Sequence, residues 1–251
     1  MAAQQTRTEV IANNLANVNT TGFKRSRAQF EDLLYQTMQG PTVLGSSESN
    51  TTPAIQVGRG TRLAAVQRLH SQGPLEATGR GLDVAIDGEG FFPVQLANGT
   101  TAYTRDGSFQ ISDQSVLVTS EGYQIGAGIK IPSDVTNITI SPTGIVSGDK
   151  GAGTEAQELG RIELARFANP SGLQSIGQNL YTETPASGQA VTGYPQDDGM
   201  GRLIQGNLEG SNVEIVQEMV DMIAAQRAYE LNSKAVKTAE EMSQTATQLV
   251  T

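Results

Sequence analysis

The sequence predicts an α+β fold, with N- and C-terminal helices forming a coiled-coil-like domain, a central antiparallel β-rich domain and an extended arm. Three observations carry the prediction: helical periodicity confined to the two ends, short alternating apolar runs between turn signals in the middle, and a polar stretch joining them. Composition agrees, since 5% aromatic residues, 28 Gly and no Trp suit many turns and short strands better than a dense aromatic core. The expected organisation is an N-terminal helical part over 1–39, an arm over 40–62, a β-rich domain over 63–205 and a C-terminal helix over 206–251.

At the N-terminus, Ile11, Leu15 and Val18 recur at helical spacing and form one apolar stripe. Asn13, Asn14, Asn17 and Asn19 surround it, although Lys, Glu or Gln favour a solvated helical face. Neutral amides there point to packing against another surface. In a homopolymer an amide donates to and accepts from its own kind, where a charge would repel. The helix should break at Asn19-Thr20-Thr21-Gly22, with Gly22 in the left-handed conformation. A second helical piece should start at Ser26, with Ser26 and Gln29 as a capping box and Phe30, Leu33 and Leu34 as its buried face.

Gly40 to Gly60 is rich in Gly, Ser, Thr and Pro and too poor in apolar residues to fold alone, which predicts the arm. From Leu63 to Gln205 alternating runs appear at Val84 and Ile86, Phe92 to Leu96, Phe109 and Ile111, Ile138 and Ile140, and Ile162 and Leu164. Asn98-Gly99 signals a hairpin with a type I′ turn; Asp87-Gly88 and Asp106-Gly107 fit turns, bulges or wider loops. Ser211 to Thr251 contains neither Gly nor Pro, opens on the capping-box pattern Ser211-Asn-Val-Glu214, and as a helix would be on the order of 55 Å long. Ile215, Met219, Met222, Tyr229 and Val236 mark one seam along it, with Ile223 beside them.

Function classes narrow quickly. A formal charge of -9 and a pI near 4.7 argue against nucleic acid, and the short basic cluster of Lys24, Arg25 and Arg27 does not reverse that. With no Cys and a single histidine, His70, the usual transition-metal sites and thiolate catalysis lack their ligands, so no metal, cofactor or small-molecule substrate is expected. No run approaches the ~20 apolar residues that span a bilayer, and the start has no apolar signal-peptide core. Asp83 and Asp87 could in principle act as paired carboxylates on a glycoside, though Asp87-Gly-Glu-Gly90 has the composition of a turn.

The terminal seams must be buried somewhere, and the short N-terminal segment cannot cover the long C-terminal one. Self-association through the ends follows. Its candidate residues are Ile11, Asn13, Asn14, Leu15, Asn17, Val18 and Phe23, facing Ile215, Met219, Met222, Ile223, Gln226, Tyr229, Asn232 and Val236.

At these residues the chain resembles the bacterial flagellar rod and hook proteins. Ile11-Ala-Asn-Asn-Leu-Ala-Asn-Val-Asn-Thr-Thr-Gly-Phe-Lys24 is similar to the N-terminal signature of that family, and Met222-Ile-Ala-Ala-Gln-Arg-Ala-Tyr-Glu-Leu-Asn-Ser-Lys-Ala-Val236 to its C-terminal one. Phe30 to Gln36, Arg68-Leu-His-Ser-Gln-Gly73, Ala102-Tyr-Thr-Arg-Asp-Gly-Ser-Phe109 and Glu209-Gly-Ser-Asn-Val213 resemble its distal rod branch, and the resemblance reads Gly40 to Gly60 as a stiffening arm. The family usually carries a further apolar helical start before the equivalent of Ala2.

The resemblance implies a structural subunit of the basal-body rod, spanning the periplasm. It would leave the cell unfolded through the flagellar type III export apparatus without a cleaved signal, then polymerise helically into a drive shaft. Implied partners are further copies, neighbouring rod and hook proteins and the ring bushing proteins. Alternatives are a proximal rod or hook subunit, a peptidoglycan- or carbohydrate-active enzyme using Asp83 and Asp87, and a binding module with coiled-coil ends.

Overall fold

The computed structural model describes residues 2–39, 42–43, 51–52, 55–135, 137–149 and 157–250. They form two units, one made of Met1–Asn13, Ser26–Gln67 and Val216–Thr251, the other of Asn14–Arg25 and Arg68–Ile215. The fold is α+β, with a helix at each end and strands between, as expected.

The second unit holds the main core. Its largest sheet has seven antiparallel strands in the order Phe109–Ile111, Leu117–Thr119, Gln124–Ile125, Phe92–Gln95, Thr101–Thr104, Leu180–Thr182 and Gln174–Gly177. A three-stranded antiparallel sheet adds Asn137–Ile140, Ile145–Asp149 and Gln157–Arg161. Phe92, Phe109, Leu117, Val146, Leu164 and Leu203 fill one continuous apolar cluster, in which the Phe92 and Phe109 rings meet edge to face at 5.0 Å. Val84, Ala85 and Ile86 are all buried, so the strand Val84–Asp87 is covered on both faces. That strand pairs with Arg202–Gln205, and Leu75–Ala77 pairs with Asn207–Glu209. The beginning and end of the β region are thereby tied together.

The Asn98-Gly99 hairpin forms, but not with the expected type I′ turn. Gly99 has φ +80° while Asn98 keeps a negative φ. Gly99 N–H donates to Leu96 O at 2.9 Å, and Leu96 N–H donates to Thr100 O at 2.9 Å. That is a type I turn followed by a left-handed glycine, the wider hairpin solution. Asn98 Oδ1 favours it by accepting from Thr100 N–H at 3.0 Å and from the Thr100 hydroxyl at 2.6 Å.

The first unit contains most of both terminal helices, α1 (Ala2–Ala16) and α2 (Ile215–Val250). The expected second N-terminal helix is absent. Ser26–Asp32 is a strand paired with Thr61–Arg68, and Tyr35–Gln39 pairs antiparallel with Ile55–Gly58. The expected cap residue Gln29 instead donates from Nε2 to Gln67 Oε1 at 2.8 Å, and Arg62 forms an ion pair with Glu31. Pairing with a distant segment has overridden the local helical pattern. Of the expected buried face, Phe30 and Leu34 are exposed, Leu34 by 88%, and Leu33 is intermediate. Within the expected arm, Thr42–Val43 pairs with Thr51–Thr52; the rest of Gly45 to Pro53 lies outside the described residues.

The C-terminal capping box also fails, because Ser211 Oγ accepts from Val213 N–H, at 3.3 Å, one residue short of the pattern. Helix α2 therefore starts at Ile215, with Glu218 in its first turn, where a carboxylate complements the helix dipole. Its 36 residues span about 54 Å.

These packing assignments separate two substitutions by size. Phe92→Ala should cost about 3–5 kcal/mol, whereas Leu34→Ala in the monomer should change stability by less than about 0.5 kcal/mol. Urea melts followed by circular dichroism measure both.

Candidate functional site

The two end signatures supply the candidate site, and the structure divides their residues between two jobs. Along α2, Glu218 and Ala225 are buried while Asp221, Met222 and Ala228 are partly covered, a stripe at spacings of three and four. From this stripe Asp221 reaches α1, its Oδ1 lying 3.3 Å from Arg7 Nη2. The groove beside it is lined by Gln5, Thr8, Gln226, Tyr229 and Glu230.

Apart from Met222, which belongs to that stripe, the apolar seam is open. Ile215, Met219, Ile223, Tyr229 and Val236 are 43%, 49%, 59%, 45% and 48% exposed, and Val216, Val220, Leu231 and Met242 are open as well. Gln226 and Asn232 are exposed too, and Met222 is intermediate. A row of half-open Ile, Val, Met and Tyr side chains along several turns is more than the scattered apolar exposure of an ordinary surface.

The N-terminal signature is used differently. Ile11 and Asn14 are buried, Leu15, Asn17 and Val18 intermediate, and Asn13 exposed. Helix α1 stops at Ala16, and Asn17 to Phe23 descend through successive turns, with Thr20 N–H donating to Asn17 O at 3.2 Å and Phe23 N–H to Thr20 O at 3.3 Å. Gly22 has the expected left-handed φ of +67°, and its N–H donates to Glu209 O at 2.8 Å. A Cβ there would sit 2.8 Å from Asp106 N, so the close approach demands glycine as much as the dihedral does.

Within the second unit Phe23 and Lys24 are both buried. Lys24 Nζ donates to Glu209 Oε1 at 2.5 Å and to Ser71 O at 2.7 Å. The other oxygen, Glu209 Oε2, accepts from Arg105 Nη1 at 3.1 Å, and Gly73 N–H donates to Oε1 at 2.9 Å. Arg105 also donates to Gly88 O at 2.9 Å and lies over the Phe91 ring at 5.2 Å. Asn212 extends the network, accepting from Arg25 N–H at 2.7 Å and donating to Leu69 O at 2.8 Å. Arg68 lies over Phe23 at 5.8 Å and donates to the Tyr181 hydroxyl at 3.1 Å.

Burial pushes both Lys24 and Arg105 down from their ordinary pKa values, and the Glu209 carboxylate opposes it. Burial also raises the Tyr181 phenol. Sequence reasoning missed this ionic node. The signal was available: Phe23-Lys24, Arg68 to Gly73, Ala102 to Phe109 and Glu209 to Val213, separated widely in sequence, all contribute to one cluster.

The carboxylates of the enzymatic alternative have structural roles. Asp83 is buried and accepts from the Thr78 hydroxyl at 2.6 Å, while Asp87 is paired with Arg202 at 2.8 Å. Among the described residues no group of His, Asp and Glu side chains could hold a metal ion.

Comparison with known proteins agrees with this geometry. Residues 1–24 match the family model described as flagella basal body rod protein, residues 85–148 the flagellar hook protein FlgE/F/G D1 domain, and residues 204–249 the flagellar basal body rod FlgEFG protein C-terminal. The chain is 52% identical to the flagellar basal-body rod protein FlgG of Borreliella burgdorferi, over 96% of this chain and 92% of the relative. It is 48% identical to FlgG of Caulobacter vibrioides over 99% and 95% of the two chains, and 37% identical to FlgF of the same organism over 95% and 89%. These matches indicate no enzymatic family.

The node sets a ranking of substitutions. Glu209→Gln leaves two buried cations without a counter-charge and should cost about 3–5 kcal/mol. Lys24→Met should cost less, since Glu209 keeps Arg105 and Gly73 N–H. Denaturant melts of the full chain read the order directly.

Proposed function

The chain belongs to the flagellar basal-body rod protein family, and from that membership we propose that its copies build the distal rod by covering one another's exposed α2 faces. The higher identity to FlgG than to FlgF within one organism favours the distal rod over another rod subunit of the family. The observation that carries the assembly mechanism is the open apolar row Ile215, Met219, Ile223, Tyr229 and Val236. Covering the exposed half of each such side chain contributes on the order of 1 kcal/mol, and a helical array repeats that gain at every subunit. Asn13 and Asn232, both exposed, supply amides suited to contacts between identical faces.

In this reading α1 and α2 form the coiled-coil-like inner part of a tube, and residues 40–62 are an arm laid against neighbouring copies. The tube is a drive shaft that carries motor torque through the periplasm to the hook, in contact with other rod and hook proteins and the surrounding ring bushings. Export as an unfolded chain through the flagellar type III apparatus suits a C-terminal helix whose open face is covered only when neighbouring copies are added.

Ile223→Asp tests the mechanism. The substitution places a charge on an exposed position, so the β-rich unit should fold as in the parent. Rod growth should stop when basal bodies are imaged by electron microscopy. Normal rods built from this variant would remove the role assigned to the α2 face.

A further inference from the structure

His70 sits inside the ionic node without taking part in its hydrogen bonds. Its ring meets Phe91 at 5.6 Å and Tyr181 at 5.3 Å, edge to face in both cases. Its buried Nδ1 has no hydrogen-bond partner among the described residues. Around it the N-terminal signature contributes Lys24, the segment before it Arg68, and the strand-end loop Arg105. The buried anion among them is Glu209, with Glu89 acting on Arg105 from the neighbouring loop and Tyr181 held neutral by burial. A proton on His70 would add a further cation to a site already holding several, with no acceptor at Nδ1 to receive it.

We propose that His70 is an acid-sensitive latch: its protonation expels the imidazole from the aromatic cage and releases Gly22 to Arg25 from Glu209 and Asn212. The geometry makes release the available response. Gly22 N–H, Lys24 Nζ and Arg25 N–H are the donors that hold the signature to Glu209 and Asn212, and His70 lies between Leu69 and Ser71, whose carbonyls complete the same network. Burial first, then Lys24, Arg105 and Arg68, hold the imidazole down to about 4, against 6.5 when exposed. The neutral form is therefore favoured by the closed node. That stabilisation is complete above about pH 6.5 and is lost as pH falls from there towards 4. At pH 5 the opening equilibrium should be roughly 20-fold larger than at pH 7.

The test is amide hydrogen exchange on the full chain at pH 7 and pH 5, expressed as protection relative to an unstructured peptide at each pH. Protection of the Gly22 and Arg25 amides should fall roughly 20-fold at pH 5, while the strand Phe92–Gln95 stays protected. In His70→Gln the fall should vanish. Equal protection at both pH values, or the same fall in His70→Gln, would overturn the latch. Should His70→Gln not fold, the histidine titration of the unmodified protein, followed by NMR, decides: a midpoint well below 6 is expected, and an ordinary one near 6.5 refutes the proposal.

Discussion

The carboxylate of Glu209 is fully buried, and the position of the N-terminal signature follows from how that charge is met. A buried anion without partners costs several kcal/mol, so the chain must bring cations to it. Arg105 comes from the β-rich region itself, while Lys24 comes from a segment nearly two hundred residues earlier in the chain. The turns from Asn17 to Phe23, the left-handed Gly22 and the burial of Phe23 all serve to bring that ammonium within 2.5 Å of Glu209 Oε1. Buried ion pairs are rarely the most stabilising solution at a site, but they penalise alternatives heavily. A shifted register of the signature would leave a charge stranded.

Two kinds of burial thus divide the end segments. Residues 14–25 are grouped with the β-rich unit, where Phe23 and Lys24 are buried and Lys24 and Arg25 bond to Ser71, Glu209 and Asn212. Along helix α2, Glu218 and Ala225 are buried and Asp221 and Met222 partly covered, while Ile215, Met219 and Ile223 are open. The first arrangement gives a subunit with a defined attachment for its signature; the second leaves it an uncovered apolar face.

Much of this was legible in the residues. The helical ends, the β-rich middle and the hairpin at Asn98-Gly99 follow from periodicity and turn chemistry, which are local signals. The failures share a cause: they were decided by partners far away in sequence. Ser26 to Gln39 carries a helical pattern, but the strands Thr61–Arg68 and Ile55–Gly58 capture it. Ser211 to Glu214 looks like a capping box, but Asn212 is drawn to Leu69, Ser71 and Arg25. The site residues divide the same way. The α2 row was visible as a seam, whereas the burial of Phe23 and Lys24 in the β-rich region needed Glu209 and Arg105 to be placed beside the signature.

The most direct measurement is residue-level footprinting of the same protein before and after assembly, combining methionine oxidation with lysine acetylation. Met219 and Met242 should react readily in the free subunit and become strongly protected in rods, while Lys24 should resist acetylation in both and Lys237 should react in the free subunit. Undiminished oxidation of Met219 and Met242 in rods would contradict the account of the open α2 face. Ready acetylation of Lys24 in the free subunit at neutral pH would contradict the buried node on which the placement of the signature rests.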